Sequence, residues 1–419
     1  MSVRFDSKAN WWVVELVRHY KTDLPRLYGM VFDTPSWPTV ETVRMLTKRD
    51  NELIQFGFAD RSRVAIDFVA KPFGIVQLVV THEGLASEAD ARNREQFWLN
   101  HLAHQAARLL ASDVVAYSAP GKINLFFKVG RLKRDGYHEV ASVYQAVDLR
   151  ETVIAELDLR WRVEVTGNIG HDHVAAVPTG EDNLVVKAAR AAATAAGKTA
   201  PAPTAFAIEK RVPVAGGMGG GSADAAAAIS AVNELWTLGL NQAKLRNAAA
   251  EIGADVPFTQ LGGTAIGRGK GEKLEPLENL PTLHWVLLPD ALGLSTPTVF
   301  ARLDELREAR GEKIRQLETP EVSAKLIQAL KSGDPHKIAP LLENDLQEAA
   351  LSLRPDLIPL FAQAEAAGAL RAIISGSGPT IALLAPNAEE AQAIASRMRV
   401  YVANAIATSG PAAGVTREA

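Results

Sequence analysis

No cysteine occurs anywhere in the 419 residues. That excludes a disulfide framework and any thiolate metal site, and it fits a reducing cytoplasm. The chain also lacks an excess of either charge: 45 Lys and Arg stand against 48 Asp and Glu, a formal net charge of -3. Such a balance leaves no electrostatic footprint for nucleic acid or an anionic membrane. No run approaches the ~18 uninterrupted apolar residues of a membrane span. The opening MSVRFDSKANWWVVEL has neither the basic start, the apolar core nor the small-residue cleavage site of a secretory leader. These absences predict a cytoplasmic protein whose partner is a small molecule.

What is present fills more than one ordinary core, enough for two or three domains. With 47% hydrophobic and 22% charged residues the composition is that of a globular protein. No internal repeat of fixed period is visible. The first hundred residues read as a small α+β unit. An apolar stripe over Trp11–Tyr20 suggests a helix, and strand-like runs follow at Leu53–Phe58, Arg63–Ala70 and Ile75–Thr81. Ser87 then suits the N-cap of a helix to about Leu110, with Trp98, Leu102, Ala106 and Leu109 facing inward. His101 and His104, at i and i+3, have no acidic neighbour in the same turns and read as solvated. This stretch, QFGFADRSRVAIDFVAKPFGIVQLVVTHEGL with its Trp-containing helix, resembles the C-terminal half of a START-like (SRPBCC) domain.

At Val114 the character changes, and three glycine-rich segments follow at wide spacing: Pro120–Asn124, Gly216–Ser222 and Ser375–Pro379. In the second, VPVAGGMGGGSADAAAA, glycines let backbone amides approach a ligand closely, and Ser222 can cap an Ala-rich helix. A glycine-rich turn feeding a helix N-terminus is an anion site, and phosphate is its natural ligand. Two other phosphate motifs are excluded. GGTAIGRGKGEK has Gly271 where a P-loop needs Ser or Thr, and Ser222 replaces the third glycine of a dinucleotide fingerprint.

In APGKINLFFKVGRLKRDGYHEV, Pro120 and Gly121 are expected to turn the chain and set Lys122 at the head of an apolar strand, Ile123–Val129. In EIGADVPFTQLGG, Gly253 is expected to end a helix begun near Asn241. Val256, before Pro257, is biased away from helical angles. Asp255 would then sit in a short stiff loop. There it could accept a hydroxyl proton during phosphoryl transfer, with a lysine nearby to stabilise the carboxylate. Further helices are expected across Pro320–Gly333 and Pro335–Gln347. GHDHV, at Gly170–Val174, could hold a metal but reads first as an exposed loop.

P-G-K, P-x-x-x-G-x-G-G-G-S and ISGSGPT (Ile374–Thr380), in this order and spacing, resemble the three motifs of the GHMP kinases. RDGYH (Arg134–His138), EDNLVVKAA, GLSTPTVF and ENDLQEAALSLRPDL are similar to the branch that phosphorylates a cytidine-diphosphate-linked methylerythritol. The resemblance implies an α+β, two-domain kinase fold, ribosomal-protein-like in its N-terminal half and ferredoxin-like in its C-terminal half, preceded by the START-like unit. The divisions would be residues 1–112, 113–280 and 281–419.

It further implies that Lys122 and Asp255 are catalytic. Pro213, Val214, Ala215, Gly216, Gly217, Met218, Gly219, Gly220, Gly221 and Ser222 would cradle ATP phosphates, with Asn183 and Lys210 near the adenine. Asn124, Tyr137, His138, Thr296 and Phe300 would hold the substrate, Tyr137 and Phe300 flanking cytosine and His138 reading its edge. Magnesium would bridge the phosphates, with Ser222 as its candidate protein ligand. Homoserine or mevalonate kinases share the phosphate loop without needing a cytosine slot. A non-catalytic ligand sensor would have no need of both Lys122 and Asp255.

Overall fold

The computed structural model describes residues 2–21, 24, 27–28, 44–71, 75–108, 114–158, 160–169, 174–199, 201–214, 216–290 and 292–418. GHDHV falls almost wholly outside them, as does Ala215. The chain forms two compact units. One is Met1–Ala116 with Ala155–Leu157 and Arg417–Ala419; the other is Tyr117–Ile154 with Asp158–Thr416.

The first unit is a six-stranded antiparallel sheet under one long helix. Its strands are β1 (Ser2–Asp6), β2 (Trp11–Lys21), β3 (Arg44–Arg49), β4 (Leu53–Gly57), β5 (Arg63–Lys71) and β6 (Ile75–Leu85), in the order β1-β2-β6-β5-β4-β3. The helix is α1 (Glu88–Arg108), and the Ser87 hydroxyl accepts the Asp90 amide at 3.1 Å, the expected cap. Trp98 and Leu102 of α1 pack on Val14, Leu16, Ile66, Leu78 and Val80. His101 and His104 fall on α1, with side chains outside the described ones.

The expected helix over Trp11–Tyr20 is instead strand β2. Val14, Leu16 and Tyr20 point into the core with a period of two, and β2 pairs with β6 from Trp12↔Leu85 to Lys21↔Ile75. A register shift between Trp12 and Val14 buries Val13 as well, and two adjacent buried residues mimic a helical stripe.

From Val114 on, the chain forms β7 (Val114–Leu132), β8 (His138–Leu157), β9 (Arg162–Gly167), α2 (Leu184–Ala195), β10 (Thr204–Lys210) and α3 (Gly220–Leu235), the first residues of β7 and the last of β8 counting with the first unit. Then come α4 (Gln242–Ile252), α5 (Val256–Leu261), β11 (Thr264–Gly269), β12 (Lys273–Pro276), β13 (Leu283–Leu288), α6 (Thr296–Ala309) and α7 (Ala324–Ser332). It ends with α8 (Pro335–Ile338), β14 (Glu343–Asn344), α9 (Leu346–Leu353), α10 (Ile358–Ala366), β15 (Arg371–Ile374), β16 (Ile381–Ala385), α11 (Ala388–Met398), β17 (Ile406–Gly410) and β18 (Thr416–Glu418).

One sheet runs β12-β11-β8-β10-β9, with β7 paired to β8, β14 and β18; the other runs β15-β16-β13-β17. Trp285 and Leu287 of β13 share a core with Ile123 and Leu125 of β7 and Val143 and Val147 of β8, so both sheets of this unit anchor one interior.

Three local readings shift. Pro120 and Gly121 lie within continuous strand β7 rather than in a turn, and Lys122 donates its amide to Met218 O at 2.9 Å. Gly121 sits there because Val212 presses on it; a Cβ would meet Val212 Cγ2 at 3.1 Å. Helix α7 starts only after Ser323, whose side chain accepts the Lys325 amide. The span Pro335–Gln347 breaks into α8, a 3-10 turn and β14, with Pro340 inside the turn.

Candidate active site

The glycine loop delivers α3 with Gly219, not Ser222, at the N-cap. Gly219 has φ 70°, the left-handed region that glycine enters without strain. Ser222 therefore occupies the third helical position, where its backbone N–H belongs to the unpaired first turn. The buried run Ala223–Ala228 anchors this sixteen-residue helix, so its dipole and free amides stay aimed at the loop.

The other two motifs close on this loop. Gly217 passes so near Ser375 that a Cβ would stand 2.2 Å from Ser375 O. Ser375 Oγ donates to Gly217 O at 3.1 Å, and the Thr380 amide donates to Gly216 O at 3.3 Å. Gly376 lies over the lysine of the first motif, where a Cβ would be 3.3 Å from Lys122 Nζ and 3.2 Å from Asn124 Oδ1. Asn344 fastens this turn from below, donating at 2.8 Å to both Ile374 O and Gly376 O.

Lys122 is buried in β7, with its ammonium 2.8 Å from Asn124 Oδ1 and 3.4 Å from Asp255 Oδ2. Asn124 passes the chain of bonds to Ser142 Oγ at 2.7 Å, which donates to Phe126 O. Asp255 is the N-cap residue of α5 and keeps 31% of its side chain exposed. Asp255 lies in the short loop after Gly253, as expected, but the residues from Val256 on are helical: Pro257 sits in the first turn, where its missing N–H costs nothing. The Tyr144 ring lies 5.6 Å from Lys122 Nζ. Burial first, then the charges of Asp255 and Glu272, pushes its phenol well above the ordinary value.

Lys122, Asp255, Pro213, Gly216, Gly217, Gly219, Gly220, Gly221 and Ser222 line one cavity of about 1100 Å³ together with Tyr137, His138, Thr296 and Phe300. His138 stacks on Phe300 with ring centroids 5.5 Å apart. Its Nδ1 faces Gly130 O at 2.9 Å and its Nε2 faces Asp304 Oδ2 at 3.1 Å, which fixes the ring plane. Tyr137 is exposed, and Lys270 Nζ stands 3.6 Å from its ring centroid. Thr296, the first residue of α6, shares a hydrogen bond with Ser377 Oγ at 2.9 Å.

Other candidates are placed elsewhere. Asn183 caps α2 through Val185 N and donates to Pro178 O. Lys210 is sealed between Glu151 at 2.6 Å and Asp224 at 2.7 Å. Neither lines the cavity, nor do Val214, Met218 and the buried Asn124. Sequence reasoning missed Asp304 and Lys270. Asp304 lies four residues after Phe300 on α6, a same-face spacing that could have flagged it. Lys270 sits in the string set aside as a failed P-loop, which folds as the β11–β12 hairpin.

Among the described residues no helix is long and apolar enough to cross a membrane, and no group of three or more His, Asp or Glu could hold a metal. Magnesium held mainly by nucleotide phosphates needs only one or two protein oxygens. The cavity's Ser222 and Asp255 fit that requirement.

Residues 183–263 match the family model "GHMP kinases N terminal domain", and residues 326–403 match "GHMP kinases C terminal". The chain is 45% identical over 304 residues to the 4-diphosphocytidyl-2-C-methyl-D-erythritol kinase of Clavibacter michiganensis subsp. michiganensis, covering 72% of this chain and 96% of that protein. It is 47% identical over 303 residues to the enzyme of the same name from Nocardia farcinica, covering 72% and 95%. A solved 4-(cytidine 5'-diphospho)-2C-methyl-D-erythritol kinase superposes with TM-score 0.57 at 29% identity, covering 70% of this chain and 98% of that one. The fold is shared more widely. A homoserine kinase from Cytophaga hutchinsonii superposes with TM-score 0.53 at 20% identity, covering 73% and 98%.

Proposed function

The chain belongs to the 4-diphosphocytidyl-2-C-methyl-D-erythritol kinases of the GHMP family, and from that membership we infer the roles of the residues in its cavity. The reaction moves the γ-phosphoryl group of ATP to the 2-hydroxyl of 4-diphosphocytidyl-2-C-methyl-D-erythritol, a step of the non-mevalonate isoprenoid route. One observation carries the assignment of residues. The Lys122–Asp255 pair, the glycine loop and the Tyr137–His138–Phe300 cluster open into the same cavity.

The phosphates of ATP lie on the Gly216–Ser222 loop, where the α3 N-terminus and its free amides offset their charge. Asp255 orients the substrate hydroxyl and takes its proton as the in-line transfer proceeds. Lys122, oriented by Asn124, holds Asp255 and offsets charge building on the transferring group. Magnesium bound to the phosphates would supply further charge neutralisation there, with the Ser222 hydroxyl at the end of the loop as its candidate protein ligand. Cytosine stacks between Tyr137 and Phe300, with Thr296 directed to the rest of the substrate and Asn124 acting from behind the cavity wall by orienting Lys122. Asn183 and Lys210 support the nucleotide side from outside the cavity. A cysteine-free chain using ATP suits the cytoplasm, where both the nucleotide and a reducing environment are found.

Asp255→Asn is expected to lower kcat by about 10²–10⁴, the usual contribution of a general base, while leaving the KM for ATP unchanged. Lys122→Ala should likewise act on kcat. Near-normal turnover in either variant removes that residue from the chemistry.

A further inference from the structure

Asp255 stands at the head of α5, a helix of only six residues (Val256–Leu261), too short to hold its own position in a cooperative sense. Its far end is gripped by the tail of the chain. The Gly263 amide donates to Ala412 O at 2.7 Å, and the Val415 amide donates to Gln260 O at 3.3 Å. Ala412 in turn donates to Ala146 O at 2.9 Å, and Ala146 to Gly263 O at 2.8 Å. The approach is close enough that a Cβ on Gly262 would lie 2.0 Å from Gly414 N. Residues 410–416 thus form a strap across the C-terminus of α5.

One side chain makes three hydrogen bonds to the strap. Arg150, from β8, donates to Ala413 O at 2.8 Å, Gly414 O at 2.6 Å and Thr416 Oγ1 at 2.8 Å. The same guanidinium reaches Ser118 Oγ at 2.9 Å and Ser118 O at 3.1 Å. Ser118 lies in β7, four residues before Lys122. A planar, permanently charged fork is the group suited to so many carbonyl and hydroxyl acceptors at once. Arg150 therefore ties the strand that carries Lys122 to the strap that braces the helix beginning at Asp255, alongside the direct Ser118 Oγ–Thr416 Oγ1 bond at 3.1 Å and the pairing of β18 with β7.

We propose that Arg150 is a positioning residue for phosphoryl transfer: through the strap at residues 410–416 it sets the placement of Asp255 against Lys122. This rests on the catalytic reading of that pair. Arg150 does not line the cavity, so neither ATP nor the cytidine substrate should bind differently when it is changed. What shifts is the register of a proton acceptor, and a displacement of about 1 Å at such a group can cost about 10²-fold in rate.

The test uses the full chain with Arg150→Lys, which keeps the charge but loses the fork, and Thr416→Val, which removes that hydroxyl's contacts to Arg150 and Ser118 and spares the arginine. Arg150→Lys should lower kcat roughly tenfold or more, with both KM values within about twofold. Thr416→Val should lower it less, in the same sense. The deciding measurement is the double variant Arg150→Lys/Asp255→Asn. If Arg150 acts through Asp255, adding it to Asp255→Asn should change kcat less than twofold, since residues acting as a unit are non-additive.

Equal multiplicative losses in the wild-type and Asp255→Asn backgrounds would overturn the proposal and leave a general loss of stability. So would a rise in KM without change in kcat, or an unchanged kcat in Arg150→Lys. If Asp255→Asn alone has normal turnover, it is the catalytic reading that fails, and this inference with it.

Discussion

Lys122 and Lys210 both lie against carboxylates, yet their surroundings give them different work. Lys122 meets a carboxylate that still faces the cavity. Lys210 is enclosed by two, Glu151 and Asp224, beneath the first turn of α3. There burial pushes Glu151 up to about 8, and Asp224 upward as well, against the pull of the Lys210 charge. Their charges more than offset desolvation at Lys210, whose pKa is raised. Lys210→Met would strand two dry carboxylates, a loss of about 3–5 kcal/mol in unfolding free energy. A denaturant titration checks this; an unchanged midpoint with a raised KM for ATP would mean that Lys210 works by contact with the nucleotide instead. From sequence, Lys210 was legible only as a family position, because nothing local announces partners 59 residues before and 14 after it.

The aromatic slot gives the second prediction at this scale. Losing a stacking partner costs about 1–3 kcal/mol. Tyr137→Ala and Phe300→Ala should each raise the KM for the cytidine substrate about 5- to 150-fold and spare the KM for ATP. Phe300 also supports the His138 ring, so its removal should be the more costly. Parallel rises in both KM values would point to general destabilisation and remove the slot.

Among the elements, those with strong local chemistry were readable. The helix from Ser87 and the helix between Asn241 and Gly253 stand where their caps put them. The glycine loop feeds an Ala-rich helix as its composition suggested, although that helix starts at Gly220 with Gly219 rather than Ser222 as its N-cap. Elements decided by distant pairing were not. Over ten residues WWVVELVRHY satisfies both a helical and an alternating pattern, and it is the β6 ladder, some sixty residues later, that selects the strand. Asp255 was readable as chemistry but not as a helix start, because Pro257 argues against helix before it and for helix at its own position.

Between β6 and α1 the first unit carries its own pH dependence. His82 accepts from Trp98 Nε1 at 3.2 Å and meets Ser62 Oγ at 2.9 Å. Burial first, with the Arg94 charge adding to it and Asp60 opposing, pushes its pKa down to about 3. An unfolded His82 titrates near 6.5, so below that pH the unfolded chain binds the extra proton. The stability this contributes is fully present above about 6.5 and is lost as pH falls toward 3, by up to about 1.4 kcal/mol per pH unit. Calorimetry of the full chain between pH 7 and 4 should show this slope in the unit's transition, and a shallower one in His82→Gln. Identical slopes in the two proteins would exclude His82 as the source.

Across the whole molecule, three short motifs separated by some 250 residues were enough to indicate the kinase fold, since only a chain that brings them together has use for all three. The structure does so, with Gly217, Ser375, Gly376 and Lys122 in mutual contact. The role of residues 1–112 was not legible, because no motif there carries chemistry. The kinases matched are covered over 95–96% of their length by 72% of this chain, and the two family models match residues 183–263 and 326–403, none of them in the extension. A variant beginning near Ser112 should therefore keep kcat/KM for both substrates within about twofold. Aggregation, or a tenfold loss (about 1.4 kcal/mol), would show that the extension is required for activity.

The most direct test of the central claim is a comparison of acceptors. Purified full-length protein with ATP and magnesium should be assayed for ADP formation on 4-diphosphocytidyl-2-C-methyl-D-erythritol, homoserine and mevalonate. The slot proposed for Tyr137 and Phe300 is expected to favour the cytidine substrate in kcat/KM by about hundredfold or more. The position of the new phosphate, read by phosphorus NMR, should be the 2-oxygen. Equal or faster turnover of homoserine or mevalonate, or no transfer to the cytidine substrate, would contradict the account.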